Sequence, residues 1–369
     1  DNPDLLPKGA ITVRMHSVGG WGAITTGKNL AITLNDLLGY DIKANPKYGS
    51  EKKGQPTTYY LSAAPEPIKI NCEYNFVDVV LSPDPNVYGH SNPLFGLKEG
   101  GVFIIQSDLE TEQEVWEHIP IQYQRYIHEK KIKVFYVDAF KIAREEANDP
   151  ELQLRMQGNA FQGAFFKASN VMASAELTEQ TLFDAIREQL TKKFGGKGAR
   201  VVENNMTVVR RGFDELRELP AMEISEFSAT DLKKEVNMPV TLKRMKASGD
   251  AKTDIHRFWE QTGSFYAGGK PNDNLADPFN AMSLIPAASG VFRDMTAIRF
   301  NHPVWVPENC TACSDCFTVC PDSAIPGIAC SIGDAFQTAV KDMKKAGQET
   351  ALLPKALLSA GKVLVPEGL

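Results

Sequence analysis

The first 212 residues predict an α/β domain, a mostly parallel sheet flanked by helices, and three observations carry that reading. A run of strand character from Ile11 to Val18 passes through Gly19, Gly20, Trp21 and Gly22 directly into helical spacing from Ala23 to Leu38. Val77 to Leu81 and Gly101 to Ile105 are nearly continuous apolar runs without clean alternation, as strands covered on both faces are. Helical segments lie between and after the strands, which places this stretch among folds that bind ligands at the carboxyl ends of their strands.

The first helix repeats its apolar face at Ile24, Leu30, Leu34, Leu37 and Leu38 and is closed by Gly39. The glycine turn before it brings bare backbone N–H groups and a positive helix end toward whatever lies above the sheet, which suits an anion. Its spacing is not G-x-G-x-x-G, so the dinucleotide fingerprint is not met, and glycines there also serve close helix packing. Between strand units, Pro46 to Gln55 carries two adjacent lysines, Lys52 and Lys53, between Gly49 and Gly54. On a loop they form either a cationic rim fit for phosphates or a solvated charged pair.

Lys133 to Val137 reads as a further buried strand. Pro150 separates a helix ending near Asn148 from another running from about Met156 to Met172. Thr178 is placed to cap a helix with an apolar stripe at Leu182, Phe183, Ile186, Leu190 and Phe194, and Gly195 with Gly196 stops it. From residue 213 to 300 the pattern loosens into short helical pieces separated by Pro220, Pro239, Gly249, Gly268, Gly269 and Pro271. His256, Phe258 and Trp259 read as packing residues, and no chemistry is legible in this stretch.

The most specific signal follows. Cys310, Cys313, Cys316 and Cys320, with Pro321 next, have the C-x2-C-x2-C-x3-C-P spacing of bacterial iron–sulfur binding. Three thiolates two residues apart wrap one face of an inorganic cube while the tight backbone turns its N–H groups to the sulfides. The competing reading is structural zinc, which uses two separated cysteine pairs more than an even triplet. A disulfide framework belongs to small secreted chains and fits poorly. Cys330 is either an unusual further ligand or a small buried thiol, the latter being the expectation. His302, eight residues upstream of Cys310, reads as a surface or packing residue. Ile332 to Met343 and Ala351 to Leu358 read as helices.

In two-cluster ferredoxins the last cysteine of such a run serves a second cluster, yet no second run follows here. With Asp1 in place of an initiator methionine, the expectation is one part of a longer polypeptide. A net charge of -6 and the lack of a basic tract with interleaved aromatics argue against nucleic acid as partner. No apolar run approaches the roughly 20 residues of a membrane span. Unpaired cysteines without an export signal point to a reducing compartment, the cytoplasm.

Residues 11 to 209 resemble the γ-type domain of pyruvate:ferredoxin oxidoreductase and its 2-oxoacid relatives. The resemblance rests on the Gly19 to Gly22 turn, on Tyr48 to Gly54, on Arg155 to Lys167, on Phe194 to Gly198 and on Val201 to Asn205. The lead-in Pro303 to Asn309 is similar to the segment before the first cluster in the same enzymes, which implies a ferredoxin-like [4Fe-4S] domain over 301–369. By position, 213–300 then corresponds to the irregular α+β linking domain, although the family's Tyr-Glu-Lys-Arg run is missing. The γ-type domain would occupy 1–212.

What the resemblance implies is a chain that binds coenzyme A as a substrate and relays electrons through [4Fe-4S] clusters to ferredoxin or flavodoxin. Gly20 and Gly22 in the turn, Lys52 and Lys53 toward phosphate, and Asn159 and Gln162 as side-chain hydrogen bonders are the implied contacts. The last two, three apart on a helix, are expected on one face. The 2-oxoacid, pyruvate foremost, would be decarboxylated on thiamine diphosphate with Mg2+, held by another domain or subunit of an oligomer. Both Gly-Asp steps of this chain, Gly249-Asp250-Ala251 and Gly333-Asp334-Ala335, lack the third-position glycine of a thiamine site. A redox carrier or scaffold with no substrate role is the competing reading. A nucleotide-dependent dehydrogenase with an accessory cluster is disfavoured by the absent fingerprint.

Overall fold

The computed structural model describes residues 5–49, 54–147, 150–226, 238–267, 274–292, 304–320, 325, 327, 330–348 and 350–364. Lys52, Lys53, His302 and Pro321 lie outside the described residues. The strands are β1 (Ile11–Val18), β2 (Asp41–Lys47), β3 (Pro56–Ala64), β4 (Val77–Ser82), β5 (Leu97–Gln106), β6 (Lys133–Val137) and β7 (Arg217–Leu219). The helices of the same region are α1 (Ala23–Leu38), α2 (Glu112–His118), α3 (Ile121–Lys130), α4 (Ala139–Glu146), α5 (Pro150–Ala168), α6 (Val171–Ser174), α7 (Glu179–Phe194) and α8 (Ala199–Asp214). Beyond them come α9 (Val240–Arg244), α10 (Ile255–Phe258), α11 (Ser264–Ala267), α12 (Pro278–Ala281), α13 (Asp315–Thr318), α14 (Ile332–Lys345) and α15 (Leu353–Leu364).

The seven strands form one sheet in the order β2-β3-β1-β4-β5-β6-β7. β1, β4, β5 and β6 pair in parallel, while β3 runs antiparallel to both β1 and β2 and β7 antiparallel to β6. Five strands therefore share one direction, and the expected mostly parallel α/β sheet is present. Three strands escaped the sequence reading, and all three lie outside the parallel centre. β2 is an edge strand of polar residues with Pro46 in it, which an edge tolerates because the missing N–H faces away from the ladder. β7 is three residues long and extends the sheet beyond Gly212, the position at which the γ-type unit was expected to end; that position falls inside α8.

Alternation on the strands sends side chains to two cores. Val13, Met15, Val79, Leu81 and Ile104 face α1, α4, α5, α7 and α8. Val80, Phe103, Ile105, Val134 and Tyr136 face α2 and α3, where Trp116 is fully buried. α5 is the keystone of the first layer: Ala160, Phe161, Ala164, Phe165 and Phe166 are each at most 1% exposed. Burying each such phenylalanine is worth about 1.5–3 kcal/mol. Helix boundaries follow local chemistry: Thr178 accepts from the Thr181 N–H, and Thr111 with Glu114 forms a reciprocal capping box.

Residues 238–292 hold a small separate core of Leu242, Ile255 and Trp259 with Met245 and Phe292 packed on it. Phe258 and Trp259 are buried and His256 Nε2 meets the Met245 carbonyl at 2.9 Å, so all three pack as expected. Cys330 is exposed, which corrects the expected buried thiol: it precedes the Ser331 cap of α14, where no core reaches it among the described residues. Among the described residues no helix is long and apolar enough to cross a membrane.

Candidate functional site

The carboxyl end of β1 carries two of the candidate coenzyme residues, Gly20 and Gly22. After β1 the backbone turns left-handed at Gly20 (φ 94°) and Gly22 (φ 85°), values that cost a side-chain-bearing residue about 1–2 kcal/mol. Space demands glycine as well, since a β-carbon on Gly22 would stand 2.7 Å from the Arg155 carbonyl oxygen of α5. No side chain caps α1, so its first N–H groups stay open to an acceptor. Trp21 packs edge-on against Phe140 of α4, with ring centroids 5.2 Å apart, and fixes the turn from the side.

The turn is tied to the lysine-bearing loop. Gly19 N–H donates to the Gln55 carbonyl at 2.7 Å, and Gly54 N–H donates to the Gly19 carbonyl at 2.8 Å. Residue 54 directly follows Lys53, so the structure joins the C-terminal anchor of that loop to the glycine turn.

Asn159 and Gln162 lie elsewhere. Asn159 donates to Asn205 Oδ1 of α8 at 2.6 Å, and Gln162 donates to Thr33 Oγ1 of α1 at 3.1 Å. Thr33 Oγ1 also contacts Gln189 Oε1 of α7 at 3.0 Å. They are 4% and 0% exposed. Three residues turn a helix through roughly 300°, leaving side chains about 60° apart. On α5, packed all round, that is enough to send one side chain to α8 and the other to α1.

The same edge carries a constellation the sequence reading missed. Asp84, 2% exposed beyond β4, contacts His90 Nε2 through Oδ2 at 2.6 Å, and His90 Nδ1 meets Ser91 Oγ at 2.9 Å. Its Oδ1 accepts from the Asn86 N–H at 2.8 Å, a turn that the Ser-Pro-Asp-Pro-Asn composition of residues 82–86 signals. Nearby, Arg14 is buried in β1 and donates to the carbonyls of Asn75, Pro93 and Phe95 and to His16 Nε2 at 3.0 Å. His16 therefore accepts at Nε2 and stays neutral. Burial holds its pKa well below the ordinary histidine value, with the Arg14 cation and His90 adding to the effect.

Cys310, Cys313 and Cys316 are exposed and Cys320 is half-buried. Among the described residues no three His, Cys, Asp or Glu side chains converge where a metal ion would sit. The donor chemistry fits a cluster, four thiols in one short run. Ala312 (φ 55°) and Ser314 (φ 68°) are left-handed on either side of Cys313, so the chain turns sharply between the cysteines. The two Gly-Asp steps serve local structure: Asp250 accepts from the Lys252 N–H at 3.0 Å, and the Asp334 N–H donates to Ser331 Oγ at 3.1 Å.

Residues 12–215 match the family model described as pyruvate ferredoxin/flavodoxin oxidoreductase. Pyruvate:ferredoxin oxidoreductase of Moorella thermoacetica is 26% identical over 327 residues, 87% of this chain and 25% of that protein. The pyruvate/ketoisovalerate oxidoreductases common subunit gamma of Thermococcus litoralis is 32% identical over 190 residues, 52% of this chain and 94% of that subunit. A crystal structure of a pyruvate oxidoreductase subunit from Thermotoga maritima covers 58% of this chain and 100% of its own, at 20% identity and a TM-score of 0.43. The chain spans about a quarter of the length of the long curated relatives, such as the Moorella protein. With the matched model extending over more than half of its residues, the chain belongs to the pyruvate ferredoxin/flavodoxin oxidoreductase family.

Proposed function

We propose that this chain is the coenzyme A-binding and electron-transfer portion of a 2-oxoacid:ferredoxin oxidoreductase, with pyruvate as the 2-oxoacid. The reaction is oxidative decarboxylation to acyl-coenzyme A and its reverse. The observation that carries this reading is the pair of backbone bonds joining Gly19 to Gln55 and Gly54. They hold the glycine turn against Gly54 and Gln55, the residues that directly follow the two lysines in sequence, inside the matched segment. Gly20 and Gly22 let the coenzyme approach the backbone and the open end of α1, and Lys52 and Lys53 neutralise its phosphates. Asn159 and Gln162 hold α5 against α8 and α1 and so support the turn that rests on Arg155.

Cys310, Cys313, Cys316 and Cys320 are the residues that would hold a [4Fe-4S] cluster, which when bound supplies one-electron transfer. The chain's part is to supply the thiolates and to aim backbone N–H groups at the sulfides. Thiamine diphosphate and Mg2+ belong to partner domains or subunits, and ferredoxin or flavodoxin accepts the electrons.

One observation favours the redox-carrier reading: Asn159 and Gln162 turn inward, leaving the turn and the lysine loop as the remaining coenzyme contacts. Titrating coenzyme A into the protein assembled with its thiamine-bearing partner, together with iron and acid-labile sulfide counts, separates the two. Saturable coenzyme binding with iron present supports the enzyme portion, iron without coenzyme binding supports the carrier, and neither removes both.

A further inference from the structure

The hairpin of α14 and α15 presents an apolar face that no core covers among the described residues. The Ser331 cap, accepting from the Asp334 N–H, starts α14, and Ile332, Phe336 and Val340 recur every four residues along it. Leu357, Leu358 and Gly361 of α15 face the same trough. No residue of α14 is buried, and Leu358 is 68% exposed. The trough encloses about 1080 Å3 and runs along helices of 14 and 12 residues, so it is roughly 20 Å long. That is the length of three to four helical turns. The walls are low at Gly361, where a β-carbon would meet nothing within 4 Å, so a partner backbone can come close.

Charge selects the occupant. Four lysines, Lys341, Lys344, Lys345 and Lys362, line the trough, and among the described residues no carboxylate does. Lys345 has a long contact of 3.8 Å with Asp342, and the other three make no ion pair among the described residues. Residues 331–364 hold five lysines against three acidic residues in a chain of net charge -6. We propose that this trough seats an acidic amphipathic helix of a protein partner, its apolar anchors on Phe336, Val340 and Leu357 and its carboxylates on the lysine rim.

Helix-in-groove recognition takes this form, with anchors one turn apart and charge at the margins. A second copy of this chain fits poorly, because it would bring a second lysine rim against the first. A membrane surface fits poorly as well. Interfacial helices present a convex apolar face to lipid, whereas here the apolar side chains lie in a concavity between two helices.

The test uses the full chain and a synthetic helical peptide with leucine at i, i+3, i+4 and i+7 and glutamate on its flanks. A second peptide carries lysine in place of glutamate, and binding is read by fluorescence anisotropy. The glutamate peptide is expected to bind saturably, at least roughly tenfold tighter than the lysine peptide, and to weaken as salt rises. Phe336→Glu with Leu357→Glu abolishes binding while circular dichroism shows the helices retained. Lys341→Glu with Lys344→Glu and Lys362→Glu, which spares the apolar anchors, reverses the preference between peptides. Equal binding of both peptides, binding of neither, self-association lost in the Phe336→Glu variant, or capture by phosphatidylserine vesicles in place of the peptide each overturns the proposal.

Discussion

Gly212 of α8 and Ala160 of α5 meet backbone to backbone: a β-carbon on Gly212 would stand 2.1 Å from the Ala160 carbonyl oxygen and 2.5 Å from its Cα. Gly163 makes the reciprocal approach to Val209: a β-carbon there would stand 2.0 Å from the Val209 carbonyl oxygen. Two effects of opposite sign then compete in Gly212→Ala. Helix propensity favours alanine by about 1 kcal/mol, and overpacking costs about 1–3 kcal/mol. The obstructing atoms are main-chain atoms that no rotamer change can move, so overpacking wins. The expected result is a lower urea midpoint for Gly212→Ala. Gly196→Ala, where a β-carbon meets nothing within 4 Å, leaves the midpoint unchanged or raises it.

Acid sensitivity follows from His16. Its folded pKa is depressed well below its ordinary 6.5, so between those two values the unfolded chain binds a proton that the folded chain does not. Its contribution is fully present above pH ~6.5 and is lost as pH falls toward the folded value, at about 1.4 kcal/mol per pH unit. His16→Gln keeps an acceptor for Arg14 Nε and removes the titrating group. Urea midpoints at neutral and mildly acidic pH should separate less in the variant than in the parent chain. Equal separation would show that other groups carry the acid sensitivity.

Coenzyme affinity is expected to depend on the loop that Gly54 anchors. A hydrogen bond to a charged group is worth about 1.5–3 kcal/mol, so Lys52→Ala with Lys53→Ala should weaken coenzyme A binding by at least roughly tenfold. Pantetheine, which has no phosphate, serves as the control and should bind both proteins alike. Unchanged coenzyme affinity in the double variant would leave the redox-carrier reading.

What the sequence disclosed tracks how evenly each element is surrounded. β4 and β5 lie at the sheet centre, covered on both faces, and their apolar runs are legible because Val77, Val79 to Leu81 and Gly101 to Ile105 are all buried. β2 and β7 sit at the edges and β3 next to β2, where polar residues and Pro46 blur the strand signal. The divergence of Asn159 and Gln162 has the opposite cause: from Met156 to Phe166 α5 is buried all round, so a three-residue spacing no longer defines a common direction. Asp84 and His90 meet across a turn, and periodicity does not report such contacts. The glycine turn was legible because glycines between strand and helix mark a backbone requirement, here the left-handed φ values of Gly20 and Gly22.

The cysteine run yields the sharpest test of the cluster. Cys310, Cys313 and Cys316 are close in sequence, and the left-handed Ala312 and Ser314 turn the chain between them, so loss of any one thiolate should empty the site. Each Cys→Ser variant is expected to lose the iron and sulfide of one cluster and its low-temperature EPR signal. Cys320 follows the x3 step, and a last cysteine of this kind serves a different cluster in two-cluster ferredoxins. Cys320→Ser should therefore separate from the other three if a second cluster is present in the assembled protein, sparing the signal they abolish. Cys330, exposed at the start of α14, should tolerate alanine with full iron content. Stoichiometric zinc in place of iron and sulfide in the parent protein, prepared without oxygen, would remove the electron-transfer role and leave these cysteines a structural one.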